Sequence, residues 1–176
     1  MLVLTVIGTD RPGLVELIAR IVAEHGGNWL ESRMSRLGGE FAGIIRVGIS
    51  ADAEAALSAA LSALASQGLT VVCRSSGPEP QVSKSFAALE LVGLDRPGIV
   101  RDISRALARA GVNVEDLTTS CESAAMSGEP LFKANIKIGL PASCDVGAIR
   151  RELDEIATNL LVDITLDTLD AEPAAR

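Results

Sequence analysis

Aromatic side chains are almost missing from this chain: Trp29, Phe41, Phe86 and Phe132 are the whole set, 2% of 176 residues. Flat platforms for stacking bases are therefore scarce, and aliphatic residues must fill the interior. Histidine occurs once, as His25. The cysteines, Cys73, Cys121 and Cys144, are odd in number and far apart, without a CxxC pair. With so few partners, neither a metal site nor a cofactor is expected, and the thiols read as free and buried or half-buried. No apolar run is long enough to span a bilayer, and Met1–Gly8 carries neither a basic leader nor a cleavage pattern, so a cytoplasmic location away from membranes is expected. Positive charge is in deficit, with 16 Lys and Arg against 23 Asp and Glu and a net charge of −7. Such a surface is poorly suited to neutralising phosphates, so direct nucleic-acid binding is not expected.

What the sequence has is apolar content, 48%, and an internal repeat. Residues 6–31 align without a gap on residues 91–116, with 11 identities in 26 positions. Gly8, Asp10, Arg11, Pro12, Gly13 and Val15 recur as Gly93, Asp95, Arg96, Pro97, Gly98 and Val100. Ile18, Arg20, Ala23, Gly26 and Asn28 recur as Ile103, Arg105, Ala108, Gly111 and Asn113. Duplication is the economical explanation.

In the first copy, Leu2–Thr9 reads as a strand, and Leu14, Ile18, Ile21 and Val22 share one face of a helix that ends at Gly26-Gly27. Trp29–Leu37 and Phe41–Ile49 read as a hairpin around Gly38-Gly39. An Ala-rich helix over 52–67 places Leu57, Leu61 and Leu64 on one face, and Gly68 leads into a strand at 69–74. The second copy repeats the order as strand 86–94, helix 98–110, strands 112–122 and 131–140, helix 145–157 and strand 160–169. Its hairpin connection, Ser123–Pro130, is longer and polar.

The pattern predicts an α+β chain of two ferredoxin-like βαββαβ modules, each a four-stranded antiparallel sheet with two helices on one face. The expected boundaries are 1–76 and 86–170, with a Pro-containing linker at 77–85 and a frayed tail at 171–176. Modules this small leave edges and a sheet face uncovered, so packing between copies and a homo-oligomer are expected.

The repeated turn has two readings. Pro12 suits the first turn of a helix, Gly13 lacks a Cβ, and the amides of Gly13 and Leu14 point outward at the positive end of the helix dipole. A carboxylate fits there, and Asp10 beside it can accept from an ammonium group; together they describe an α-amino acid. Equally, Asp before a helix caps or turns the backbone and Pro-Gly simply begins the element. Asn28 and Asn113 divide in the same way, between an αL or turn residue and a ligand-binding amide. Glu16 with Arg20 and Asp102 with Arg105 are helical ion-pair spacings, read as solvated stripes. His25 reads as a helix-end residue rather than a general base.

The whole pattern, Gly-x-Asp-Arg-Pro-Gly followed by Gly-x-Asn on a βαββαβ frame, resembles the ACT domain, an amino-acid-sensing module. The double copy without a catalytic domain, with Pro130-Leu131-Phe132, Gly139-Leu140-Pro141 and the segment Asn159–Ile164, is similar to the glycine cleavage system transcriptional repressor family. The resemblance implies a ligand at the interface between two modules. The residues implicated are Asp10, Arg11, Pro12, Gly13, Leu14 and Asn28, with Asp95, Arg96, Pro97, Gly98, Ile99 and Asn113. Some ACT domains carry a polar ligand-binding side chain two residues before the Asp, where this chain has Gly8 and Gly93; a small effector such as glycine or serine fits that departure. The expected function is a non-enzymatic regulator acting through a protein partner such as a transcription regulator. A ligand-free interaction module and a small enzyme are the alternatives.

Overall fold

The computed structural model describes residues 1–77, 85–124, 128–141 and 144–169. The chain divides into two compact units, Met1–Pro80 and Gln81–Arg176. Most of the expected linker, 78–84, and the tail from 170 onward lie outside the described residues, as do 125–127 of the second hairpin connection.

Unit one runs β1 (Leu2–Thr9), α1 (Leu14–Glu24), β2 (Asn28–Leu37), β3 (Glu40–Gly48), α2 (Ala51–Ser62) and β4 (Leu69–Ser75). Unit two runs β5 (Ser85–Leu94), α3 (Ile99–Arg109), β6 (Asn113–Ser123), β7 (Pro130–Leu140), α4 (Val146–Leu160) and β8 (Val162–Leu169). The sheets have the same order, β2-β3-β1-β4 and β6-β7-β5-β8, and every pairing is antiparallel.

Alternation along the central strands sets the core, because successive side chains leave opposite faces. Leu2, Leu4 and Val6 of β1 are buried against Ile18 and Val22 of α1 and Leu57 and Leu61 of α2. In unit two, Ala87, Leu89 and Leu91 meet Ile103 and Leu107 of α3 and Ile149 and Leu153 of α4. Among the described residues no polar or charged side chain is buried. None of the helices among these residues is long and apolar enough to cross a membrane.

Several boundaries differ from the sequence reading. The predicted helix over 52–67 stops at Ser62 and tightens into a 3-10 turn, Ala63–Gln67. There the Ser62 hydroxyl donates to the Ser58 carbonyl at 2.8 Å and Ser66 donates to Ala63 at 2.8 Å, and hydroxyls bonded back in this way compete with the α-helical ladder. The predicted helix over 145–157 instead runs to Leu160, and strand β8 begins at Val162 rather than at residue 160. Cys121 is exposed on β6 rather than buried; Cys73 and Cys144 are half-buried, and burial pushes the Cys73 thiol up.

Gly8 and Gly93 are required by packing. A Cβ on Gly8 would sit 2.5 Å from the Gly68 carbonyl oxygen, and one on Gly93 would run into the Val162 side chain. The helix-to-strand reversals before β4 and β8 pass through αL: Gly68 at φ 79 in unit one, Leu161 at φ 56 in unit two. A glycine takes that conformation freely, whereas a leucine is strained there.

Replacing Leu161, 66% exposed, with Gly should therefore raise stability by about 1 kcal/mol. Thermal unfolding should show this as a rise of about 2–4 °C. Gly8→Val should lower stability by about 1–3 kcal/mol through overpacking against Gly68 and Leu69, measurable in the same melts.

Candidate functional site

Each repeated turn joins the end of the central strand to the first helix. The backbone N–H of Asp10 donates to the Gly39 carbonyl at 2.9 Å, and that of Asp95 to the Pro130 carbonyl at 2.9 Å, so the β2–β3 and β6–β7 hairpins anchor both turns. The longer second connection still delivers a carbonyl to the same place.

Pro12 precedes the helix instead of occupying its first turn. The helices start at Leu14 and Ile99, and the preceding Gly13 and Gly98 are left-handed, with φ 91 and 104, which interrupts the helical path after the proline. The requirement at Gly13 is this backbone angle, since no atom lies within 4 Å of where its Cβ would be. At Gly98 the guanidinium of Arg101 does approach, with Nη2 2.9 Å from the Cβ position.

Neither turn contains a side-chain cap. α1 and α3 have no capping hydrogen bond at their N-termini, whereas Asp145 does cap α4, accepting from the Ala148 amide at 3.0 Å. No first-turn amide of α1 or α3 donates to the Asp10 or Asp95 side chain among the described residues, so the capping reading of these aspartates is not realised. Asp10 instead forms an ion pair with Arg36, whose Nε lies 2.6 Å from the carboxylate. Asp95, at the equivalent place, has no side-chain partner among the described residues; Cys121 stands where Arg36 stands in unit one. Arg11 donates to the Gln67 carbonyl at 3.4 Å. Arg96 and Pro97 are exposed, while Leu14 and Ile99 point into the cores.

Asn28 and Asn113 are the first residues of β2 and β6, paired with Gly48 and Gly139; neither is a left-handed turn residue. Each is followed by a β-bulge, between Trp29 and Glu31 and between Val114 and Asp116, so Leu30 and Glu115 are the extra residues. The two amides differ. Asn113 Nδ2 donates to Glu115 at 2.9 Å, whereas Asn28, followed by Leu30, has no side-chain partner among the described residues.

Within one module the structure does not bring turn and asparagine together. Asn28 lies level with the start of β1, Asp10 follows its end, and eight strand residues separate them. At about 3.3 Å per residue, more than about 20 Å lies between them.

Three residues that shape the turns and amides were not picked out from the sequence: Arg36, Arg101 and Glu115. Arg36 reaches Asp10 only through the hairpin register, and no local signal marks it. Arg101 binds Asp102 at 2.8 and 3.1 Å, and this guanidinium holds the Asp102 carboxyl below the usual carboxylate range. Arg105, at the expected helical spacing, adds a weaker electrostatic pull on Asp102, and Arg20 bridges Glu16 and Glu24. His25 ends α1, with Nδ1 2.8 Å from the Ile21 carbonyl. Among the described residues no group of three or more His, Cys, Asp or Glu could hold a metal ion.

Two models of the ACT domain match the chain, over residues 1–74 and 87–129. The chain belongs to the ACT domain family and carries the domain twice. Over 161 residues it is 26% identical to the glycine cleavage system transcriptional repressor of Escherichia coli, covering 90% of this chain and 85% of that protein. It is 33% identical over 85 residues to the UPF0237 protein MK1213 of Methanopyrus kandleri, covering 48% of this chain and 88% of that one. The crystal structure of an unknown protein from Galdieria sulphuraria superposes with a TM-score of 0.81 and 28% identity, covering 96% of this chain and 98% of that one.

The exposed Asp10–Arg36 pair, with Arg36 69% accessible, should contribute little to folding, so Asp10→Ala is expected to change stability by less than about 1 kcal/mol. Asp145→Ala removes a true cap and should cost about 1 kcal/mol or more. Chemical denaturation of the two variants side by side checks this order.

Proposed function

We propose that the chain is a regulatory amino-acid-binding protein of the glycine cleavage repressor type, without catalytic activity. Its effector is a small amino acid such as glycine or serine. The observation that carries this reading is the pair of uncapped, glycine-opened helix N-termini, each beside an aspartate. They present amide donors to a carboxylate and an acceptor to an ammonium group. Turn and asparagine lie at opposite ends of a module, so a ligand within one module reaches only one of them; the family resemblance implies that the other comes from a second module.

Gly8 and Gly93 supply no side chain for ligand recognition, and packing forbids one, which favours an effector with little or no side chain. The excess of acidic residues argues that control of transcription passes through a protein partner rather than through contact with DNA. A cytoplasmic location and self-association accord with this role.

The half-sites are not equivalent. Asp10 and Asn113 already bind Arg36 and Glu115. Asp95 and Asn28 have no such partner among the described residues and are the halves open to a ligand.

Thermal melting against the twenty amino acids tests this reading. An effector at a hundred times its dissociation constant should stabilise the protein by about 2.7 kcal/mol, a shift of about 5–10 °C. Asp95→Ala with Asn28→Ala should abolish the shift, and Asp10→Ala with Asn113→Ala should leave most of it. A flat panel favours the ligand-free interaction module.

A further inference from the structure

The two sheets turn their second faces away from their helices, and those faces have opposite character. In unit one the central rows of this face, read across β2, β3, β1 and β4, are Arg33–Ile44–Thr5–Val72 and Ser35–Ala42–Ile7–Thr70. The three large apolar side chains are half exposed: Ile7 50%, Ile44 56% and Val72 49%. At the matching places in unit two, Asn135 replaces Ile44, Thr165 replaces Val72, Glu90 replaces Thr5, Lys133 replaces Ala42 and Asp163 replaces Thr70, while Val92, 40% exposed, keeps an apolar residue at the place of Ile7. One fold, present twice in one chain, thus carries a charged open face in one copy and an apolar, β-branched one in the other. A polar face is what a solvated sheet requires.

We propose that the open sheet face of unit one is a self-association surface that takes the same face of a second copy of this chain. Three observations select this occupant. The apolar rows match themselves, because a two-fold axis lying between the sheets sets Ile44 and Val72 of one copy over Ala42 and Thr70 of the other. The charged face of unit two is a poor alternative, since Glu90 and Lys133 would lose their water against isoleucine and valine. The ends are also self-complementary: Arg46 and Arg74 flank the apolar rows at one end and Glu40 at the other, so strands running in opposite directions bring basic end to acidic end. Arg46 keeps its contact with Glu31 at 2.9 Å in this arrangement.

The size is adequate for a concentration-dependent dimer. Four strands about 4.8 Å apart and four rows about 6.7 Å apart give a patch of about 20 by 25 Å, and two copies bury on the order of 1,000 Å2, where specific association begins. The pairing uses one sheet face of unit one and none of the residues assigned to the ligand, so it stands independently of amino-acid binding.

The test is analytical ultracentrifugation of the full chain without added amino acid, over a wide concentration range. The wild type should reach an assembly with twice the mass of that formed by Ile44→Glu at the same concentration. Thr5→Arg should behave like Ile44→Glu, and both, being surface changes, should keep the wild-type circular dichroism. Asn135→Glu, at the matching place in unit two, should sediment as wild type. A wild type that stays a single chain throughout overturns the proposal. So does association that survives both unit-one variants, or that is lost in Asn135→Glu.

Discussion

The arrangement depends on one hydrogen bond made twice: the amide of the turn aspartate donating to a carbonyl at the hairpin, Asp10 to Gly39 and Asp95 to Pro130. This bond fixes the end of the central strand against the neighbouring hairpin, so the backbone must reverse within four residues to start the helix. Proline and a left-handed glycine accomplish that reversal, and the helix consequently begins without a side-chain cap. Helix α4, by contrast, has an ordinary aspartate cap.

Much of this was legible in the sequence, and for physical reasons. Alternation in Leu2–Thr9 and helical spacing from Leu14 to Val22 report burial directly, because each periodicity exists only if one face is covered. The repeat allowed the second module to be read from the first. Boundaries were less legible where local hydrogen bonding competed, as at Ser62 and Ser66, or where a residue took an unfavoured conformation, as at Leu161. Nothing in the local sequence announces that a leucine will stand where the other copy has a glycine.

The site was legible as a set of residues and less so as a geometry. The turn and Gly-x-Asn were visible, yet their placement at opposite ends of a sheet follows from strand register, which the spacing alone does not display. Of the residues that make the two copies unequal, Arg36 lies outside the repeated segment, and Arg101 and Glu115 stand inside it at positions where the copies differ. Arg36 acts through a strand pairing, Arg101 through its neighbour Asp102 in the first helical turn, and Glu115 through a bulge that brings it back to Asn113. A motif common to both copies can reveal only what they share.

The bulges at Leu30 and Glu115 bear on how two such copies diverge. A residue inserted between ladder pairs has no partner opposite it, so exchanging one side chain for another there leaves the strand register and the core alternation intact. Leucine in one module and glutamate in the other therefore alter the polarity beside the asparagine while the fold stays the same. Each bulge is a dial on its module that can be turned without touching the frame.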